Sequence, residues 1–377
     1  MGRTGRPVSI IGVGTWQLGG DWGDVTEVEA LAVLDAAVQA GVTLLDTADV
    51  YGDGRSEQRI GEFLRANPGS DLFVATKMGR RAPLAADSYT VENFRLWTDR
   101  SRRNLGVECL DLVQLHCPPT EVYSSAQVYD ALDALVAEQR IAAYGVSVET
   151  VDEALTAIAR GVAGVQIILN AFRQKPLEKV LPAAIEADVG ILARVPLASG
   201  LLSGRYTHDT QFAGDDHRSY NRHGEAFDVG ETFSGVDFDT GVEAAREFTG
   251  LAPPGVSAAQ LALRWIVDQP GVTAVIPGAR TARQARDNAS VDEVDPLDAA
   301  VRTRIAELYD RRTRPAVHAR WSRAHLPKFG FCCRPNLYRE PGRRLGGTDP
   351  ALGISRGQLV LPFGQDADMV GLSDHQN

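Results

Sequence analysis

The sequence predicts an α/β protein built as a (β/α)8 TIM barrel. Eight short apolar segments rich in Val, Ile and Leu alternate with segments of helical periodicity along most of the 377 residues. Strands that alternate with helices favour a parallel sheet covered by those helices, and eight such repeats predict closure into a barrel. Several apolar segments also end in a polar residue, at the position where barrel enzymes carry their active sites.

The strands are predicted from short apolar runs that stop at Gly, Pro or a polar residue. The first run, Val8–Trp16, closes on Gly12 and Gly14, and the second runs from Val42 to Asp46. The other six predicted strands are Leu72–Lys77, Leu110–His116, Ile141–Ser147, Gly164–Asn170, Gly190–Pro196 and Val272–Pro277. An open doubly wound sheet is the rival fold, but Gly12 and Gly14 lack the third glycine and the helix start that its phosphate-binding motif requires.

The helices are predicted from their end signals. A capping box, in which a Ser or Thr is followed three residues later by Glu or Gln, opens three of them, at Thr26, Thr150 and Ser257. Glycines just past the last turn end three helices, at Gly41, Gly106 and Gly161. Gly106 ends the helix predicted over Tyr89–Leu105, and the remaining helical segments are Ser56–Ala66, Ser125–Gln139, Pro176–Ala187 and Thr281–Asn288.

Two segments depart from this alternation. The polar, Gly-rich stretch at about 206–254 predicts a long loop between the seventh strand and the seventh helix. Beyond Trp321 the sequence has scattered Pro and Gly without a helical or alternating period. We therefore expect a barrel at 1–321 and an irregular or disordered C-terminal extension at 322–377 that adds nothing to the barrel.

Composition limits the classes of partner. The formal net charge of −10 argues against nucleic acid, which needs basic patches. No apolar run approaches 18 residues and no signal-peptide pattern opens the chain, so we expect a cytoplasmic protein with no membrane contact. The four cysteines (Cys109, Cys117, Cys332 and Cys333) lack zinc spacing, so no metal site is predicted. The oligomeric state stays open.

Four polar residues are predicted to converge at one end of the barrel. Asp46, Lys77 and His116 end three successive strands, and Tyr51 lies on the loop after the first of them. This set suits carbonyl reduction, because the alkoxide left by hydride addition must receive a proton and tyrosine can supply it. The free pKa of tyrosine is about 10, so we expect Lys77 to lower it and Asp46 to hold that lysine. His116 would orient the carbonyl oxygen.

These residues lie within motifs that resemble the aldo-keto reductase superfamily, in its bacterial-type branch related to potassium-channel β subunits. The resemblance spans about 7–321 and implies that Tyr51 is the general acid/base, that Lys77 and Asp46 tune it, and that His116 positions the carbonyl of a small-molecule aldehyde or ketone. The matching segments are LLDTADVYGDGRSEQRIG (Leu44–Gly61), VATK (Val74–Lys77), LDLVQLHCPP (Leu110–Pro119), YGVS (Tyr144–Ser147), VPLASGLLSGRY (Val195–Tyr206) and VIPGARTARQARDN (Val275–Asn288).

The same resemblance implies NADPH as the cofactor. Ser147 and Gln166 would hold the carboxamide, and Arg280 would bind the 2′-phosphate, which favours NADP over NAD. The full set of implied cofactor residues is Gly14, Thr15, Trp16, Asp46, Ser147, Gln166, Arg194, Pro196, Leu197, Ala198, Gly200, Ser203, Arg205, Gly278, Arg280, Gln284, Asp287 and Asn288. The chain departs from the family at Val148, where many relatives carry Asn or Arg, and at Arg194, where an aromatic or small residue is usual.

Two other functions fit parts of the sequence. A Schiff-base lyase on the same barrel would use Lys77 as its nucleophile, but it leaves Tyr51, His116 and the segment after the last strand without a role. A regulatory subunit that senses NADPH with little turnover would retain the same cofactor residues. Turnover of NADPH with a panel of aldehydes separates the three functions.

Overall fold

The parallel sheet follows the order of the chain. In the computed structural model, which describes residues 1–19 and 25–322, eight strands pair in the order β1 to β8. Additional parallel pairs between Ile11 and Val275 and between Gly14 and Gly278 connect the first segment to the last. The sheet thus curls around as expected for a (β/α)8 fold. The strands are β1 (Val13–Gly14), β2 (Leu44–Asp46), β3 (Phe73–Met78), β4 (Leu112–His116), β5 (Tyr144–Ser147), β6 (Gly164–Ile168), β7 (Gly190–Arg194) and β8 (Ala274–Val275).

The helices begin at the predicted signals. All three capping boxes form, with Thr26, Thr150 and Ser257 as the N-cap residues. Gly106 ends α3 in a left-handed conformation, with φ of 69°. The helices are α1 (Glu27–Gln39), α2 (Arg55–Ala66), α3 (Val91–Leu105), α4 (Ala126–Ala137), α5 (Val151–Ala159), α6 (Pro176–Glu186), α7 (His217–Tyr220), α8 (Phe238–Thr249), α9 (Ala258–Val267), α10 (Ala282–Ala289), α11 (Ala299–Arg312) and α12 (Arg314–Val317).

The barrel interior is apolar at one end and polar at the other. Side chains alternate along a strand, so Leu44 and Asp46 share one face of β2, and Leu112 and Gln114 share one face of β4. The apolar members of these pairs are buried in one cluster with Phe73. The polar members follow toward the C-terminal ends of the strands, and they are buried there as well. The polar side chains therefore lie above a closed apolar layer.

Two predictions about secondary structure were wrong in detail. The first strand was expected over Val8–Trp16, but its ladder with β2 covers only β1. The backbone N–H groups of Ser9 and Thr43 each donate to the other's hydroxyl oxygen instead of to a backbone carbonyl, and Trp16 begins a 3-10 turn. The segment predicted as a long loop contains α8, which buries Phe238 and Phe248. Gly241 lies in the first half of α8 and weakens the helical pattern in the sequence. In the structure Leu201 packs against this glycine.

The predicted extension at 322–377 lies outside the described residues except for Ser322. The described residues belong to one compact unit. No helix among 1–19 and 25–322 is long and apolar enough to cross a membrane.

Candidate active site

The four predicted catalytic residues meet at the C-terminal ends of three neighbouring strands. Asp46 ends β2, Lys77 lies one residue before the end of β3, and His116 ends β4. Tyr51 opens a 3-10 turn between β2 and α2. The convergence that the sequence suggested is therefore present in the structure.

The turn that carries Tyr51 is fixed by a close backbone approach. Gly52 has a φ of 59°, which side chains other than glycine rarely permit. A Cβ atom added at Gly52 would lie 2.1 Å from the carbonyl oxygen of Gly19. A glycine is thus required here, and the contact holds Tyr51 in place over the barrel.

Lys77 links the members of the cluster. Its Nζ donates to Asp46 Oδ1 at 2.6 Å, to the carbonyl oxygen of Thr47 at 2.8 Å, and to the Tyr51 hydroxyl oxygen at 3.3 Å. These three contacts account for its three protons. Both members of the ion pair are almost fully buried, with side-chain exposures of 1% for Lys77 and 5% for Asp46.

The other oxygen of Asp46 is held by two glutamines. The Nε2 atoms of Gln166 and Gln114 lie 2.6 Å and 3.4 Å from Asp46 Oδ2. Gln166 was predicted as a contact of the cofactor, and its amide group is also bound to this carboxylate. Gln114 was missed, although it lies two residues before His116 and therefore on the same face of β4.

The surroundings of Lys77 and Tyr51 favour the protonated form of each side chain. Burial lowers the pKa of Lys77, but Asp46 and Tyr51 together raise it by more than burial lowers it, so the net pKa lies above its ordinary value. Burial raises the pKa of Tyr51, and the opposing charge of Lys77 does not cancel this effect. Lys77 thus lowers the pKa of Tyr51 as expected, but the effect of burial is larger. Tyr51 therefore retains its proton at neutral pH.

His116 lies beside Tyr51 as a neutral imidazole. The two rings pack edge to face, with centroids 5.9 Å apart and an interplanar angle of 85°. Burial lowers the pKa of His116 well below its usual range, and Arg80, Lys77 and Arg194 lower it further. Its Nδ1 atom is buried and has no hydrogen-bond partner among the described residues. A neutral ring can donate a hydrogen bond to a carbonyl oxygen without a charge of its own.

Aromatic residues form a wall on the other side of Tyr51. Trp16 stacks on Tyr51 with ring centroids 6.0 Å apart and an interplanar angle of 26°. The rings of His217 and Phe227, both from the segment between β7 and α8, pack against Trp16 at 5.3 Å and 6.1 Å. Trp16, which was predicted as a cofactor residue, therefore lies beside Tyr51 as part of this aromatic wall.

Arg194 is held by an acid from the same long segment. Its guanidinium forms an ion pair with Glu231 and donates to the carbonyl oxygen of Val148 at 3.0 Å. Burial lowers the pKa of Arg194, but Glu231 and other acids raise it above its ordinary value, so the group stays charged. Glu231 was missed because it lies 37 residues from Arg194 in a stretch without a motif.

One group of predicted cofactor residues forms the turn after β7. Ala198, Ser199 and Gly200 have φ angles of 47°, 54° and 97° in succession. Backbones that include such left-handed residues form concave sites for anions. Arg205 follows at an exposed position. The predicted residues here are Pro196, Leu197, Ala198, Gly200, Ser203 and Arg205.

A second group surrounds the start of α10. Thr281 caps this helix, and the Oε1 atom of Gln284 accepts a hydrogen bond from the backbone N–H of Arg280 at 2.8 Å. The Asn288 side chain donates to the carbonyl oxygen of Gly278 at 3.4 Å. An exposed arginine beside a helix N-terminus is a suitable site for phosphate. The predicted residues here are Gly278, Arg280, Gln284, Asp287 and Asn288.

The remaining predicted cofactor residues lie at the strand ends. Gly14 pairs with both Asp46 and the last strand segment. The Thr15 hydroxyl donates to the carbonyl oxygen of Asp46 at 2.8 Å, so this side chain supports the C-terminal end of β2. Ser147 is buried at the end of β5, where the Cys117 thiol lies 3.4 Å from its hydroxyl oxygen.

Asp49 is a buried acid close to the turn that carries Tyr51. It precedes Tyr51 by two residues and is fully buried. Neither of its carboxyl oxygens accepts a hydrogen bond within the described part of the chain, and Arg81 Nε lies 3.7 Å away. Burial and the charge of Glu57 raise the pKa of Asp49 to about 7, against the opposing effects of Arg81, Arg100 and Lys77.

The fold and the site together define a barrel oxidoreductase, and comparison with known proteins identifies the family. The profile of the Aldo/keto reductase family matches residues 10–310. The chain therefore belongs to the aldo/keto reductase family of NAD(P)H-dependent oxidoreductases. The predicted family is confirmed.

Similar proteins support this assignment. The chain is 32% identical over 297 residues to the aldo-keto reductase YhdN of Bacillus subtilis, covering 74% of this chain and 84% of that protein. It is 31% identical over 325 residues to a probable voltage-gated potassium channel subunit beta of Oryza sativa, covering 79% and 91%. A glycerol dehydrogenase structure from Gluconobacter oxydans aligns with a TM-score of 0.67 at 29% identity, covering 82% of this chain and 93% of that chain.

The buried carboxyl of Asp49 makes the stability of the fold depend on pH. Because its pKa is raised to about 7 in the folded state, the native protein keeps a proton that the unfolded chain has lost above about pH 4. Stability should therefore fall as the pH rises from about 4 to 7. We expect Asp49→Asn to raise Tm more at pH 8 than at pH 5, by about 2 °C or more.

The matched control is Asp53→Asn in the same loop. Its carboxylate is 63% exposed and pairs with Arg81 and Arg100 near solvent. This variant should show no extra gain in Tm at pH 8. An equal effect of Asp49→Asn at both pH values would contradict the pKa shift of Asp49.

Proposed function

We propose that this protein reduces aldehydes or ketones to alcohols with NADPH, and that Tyr51 is the proton donor. The observation that carries the proposal is the position of Lys77 Nζ, 2.6 Å from Asp46 Oδ1 and 3.3 Å from the Tyr51 hydroxyl oxygen. Bound NADPH supplies the hydride that adds to the carbonyl carbon. The protein must then deliver a proton to the oxygen that becomes negative.

The residues at the strand ends divide this work. The neutral His116 ring orients the carbonyl oxygen by a hydrogen bond, beside the hydroxyl of Tyr51. Tyr51 is protonated at neutral pH and gives its proton to the developing alkoxide. The ammonium of Lys77 stabilises the phenolate that this transfer leaves behind, and Asp46 holds the ammonium in place.

The backbone after β7 and β8 fits the cofactor. The left-handed turn at 198–200 offers a concave site for the diphosphate, and Arg205 adds a positive charge. Arg280, exposed before the N-cap of α10, is positioned for a 2′-phosphate. The two groups of residues after β7 and β8, with Gly14, Trp16, Ser147, Gln166 and Arg194 near the nicotinamide end, would hold NADPH.

The same geometry disfavours the lyase. A lysine that forms a Schiff base must be a neutral amine. Lys77 is instead paired with Asp46, and its pKa is raised. The complete cluster of Tyr51, Lys77, Asp46 and His116 also supports turnover over a purely sensing role.

Tyr51→Phe should abolish reduction and spare the cofactor. Loss of a general acid lowers kcat by about 10²- to 10⁴-fold, while the NADPH dissociation constant should change by no more than about 2-fold. Decay of NADPH absorbance with a panel of aldehydes measures kcat, and fluorescence titration measures the NADPH dissociation constant. Retention of more than about a tenth of kcat would contradict the role of Tyr51.

The control is Tyr129→Phe. The hydroxyl of Tyr129 donates to the carbonyl oxygen of Tyr123 at 3.1 Å, away from the cluster, and its loss should leave kcat unchanged. If the wild-type protein binds NADPH and reduces no aldehyde of the panel, the sensing role replaces the enzymatic one.

Arg280→Ala should weaken NADPH far more than NADH, because only NADPH carries the 2′-phosphate. A charge-assisted contact is worth about 10-fold or more in affinity. Fluorescence titration with each cofactor measures both dissociation constants, and Arg283→Ala, at the exposed second residue of α10, is the control. Equal losses for the two cofactors would remove Arg280 from the phosphate site.

A further inference from the structure

Arg80 lies beside His116 at the rim of the barrel, in the turn that follows β3. Its Nε donates to the main-chain carbonyl oxygen of His116 at 3.0 Å, and 27% of its side chain is exposed. The Tyr89 hydroxyl donates to the carbonyl oxygen of Gly79 at 3.3 Å and fixes this turn. The guanidinium therefore has a fixed place next to the ring that orients the carbonyl.

Glu149 is a weak ion-pair partner of Arg80. Glu149 Oε1 lies 4.0 Å from the guanidinium, at the outer limit of an ion pair. Burial and the charge of Asp228 raise the pKa of Glu149 to about 8. The shift and the long distance both weaken this ion pair, and the Arg80 side chain is partly open to solvent, so its guanidinium can bind an incoming anion.

The region around His116 is positive as a result. Three cations, Arg80, Lys77 and Arg194, lower the pKa of the ring in addition to burial. Lys77 has a carboxylate at 2.6 Å and Arg194 has an ion-pair partner in the segment after β7. Arg80 is the one of these three whose charge is available to an incoming group.

We propose that Arg80 binds a carboxylate of the substrate, so that the preferred substrates are oxo acids, in which an aldehyde or ketone group and a carboxylate share one small molecule. The inference rests on the proposed carbonyl reduction. The planar guanidinium matches both oxygens of a carboxylate. Because the whole chain has a net charge of −10, a local cation is needed to attract such an anion.

The test compares two four-carbon aldehydes that differ in the terminal group. Succinic semialdehyde ends in a carboxylate and butanal ends in a methyl group. We expect wild-type kcat/KM to favour the semialdehyde by about 10-fold or more. Arg80→Gln should lower this ratio by about 10- to 100-fold, mainly through KM, and Arg80→Lys should retain part of the preference because it keeps the charge.

The matched control is Arg81→Gln, one residue along the chain. Arg81 faces Asp49 and Asp53 on the side of the catalytic turn, so its loss should not change the ratio between the two aldehydes. A wild-type ratio near one, or a ratio that Arg80→Gln leaves unchanged, would overturn the proposal. Reduction of butanal in that case would still support the proposed function.

A binding measurement keeps the test independent of turnover. Titration calorimetry of 4-hydroxybutyrate into the NADPH complex should give a dissociation constant that Arg80→Gln weakens by about 10-fold or more. The same titration with 1-butanol serves as the neutral reference. Equal affinity of wild type and Arg80→Gln for 4-hydroxybutyrate would show that Arg80 does not bind the carboxylate.

Discussion

The buried ion pair between Lys77 and Asp46 is the interaction on which the site depends. Removing two charges from water is costly, and the cost is offset only where the geometry is good and the remaining donors and acceptors are satisfied. Here the ammonium has three oxygen partners, in Asp46, Thr47 and Tyr51. Gln166 holds the second carboxylate oxygen. Loss of one of these partners would leave part of a buried charge without a hydrogen bond. The ion pair therefore also holds its partners in one geometry.

The register of the parallel strands brings these partners together. Lys77 lies opposite Gln114, and His116 lies opposite Ser147. A shift by one residue would turn each of these side chains to the other face of the sheet. The apolar layer beneath, around Leu44, fixes that register because the same faces must be buried. Packing of the apolar layer at one end of the barrel thus fixes the positions of the polar side chains at the other end.

Local signals in the sequence predicted the helices, the strands and the convergence of the candidate catalytic residues, whereas individual long-range contacts were not visible. Capping residues such as Thr26 act within one turn, and a polar residue at a strand end such as Asp46 is visible in a single motif. Glu231 could not be paired with Arg194, because nothing local joins the two positions. The direction of the pKa shift of Tyr51 depends on burial, which a sequence does not show.

The central claim is that the Lys77 ammonium, held by Asp46, makes proton transfer from Tyr51 possible. Stopped-flow measurement of NADPH oxidation in a single turnover, for wild type and Lys77→Met, tests it most directly, with thermal unfolding to verify that the variant is folded. The account predicts a rate constant lower by about 10²- to 10⁴-fold with NADPH affinity changed by less than about 3-fold. A folded Lys77→Met variant with a single-turnover rate within about 3-fold of wild type would contradict it.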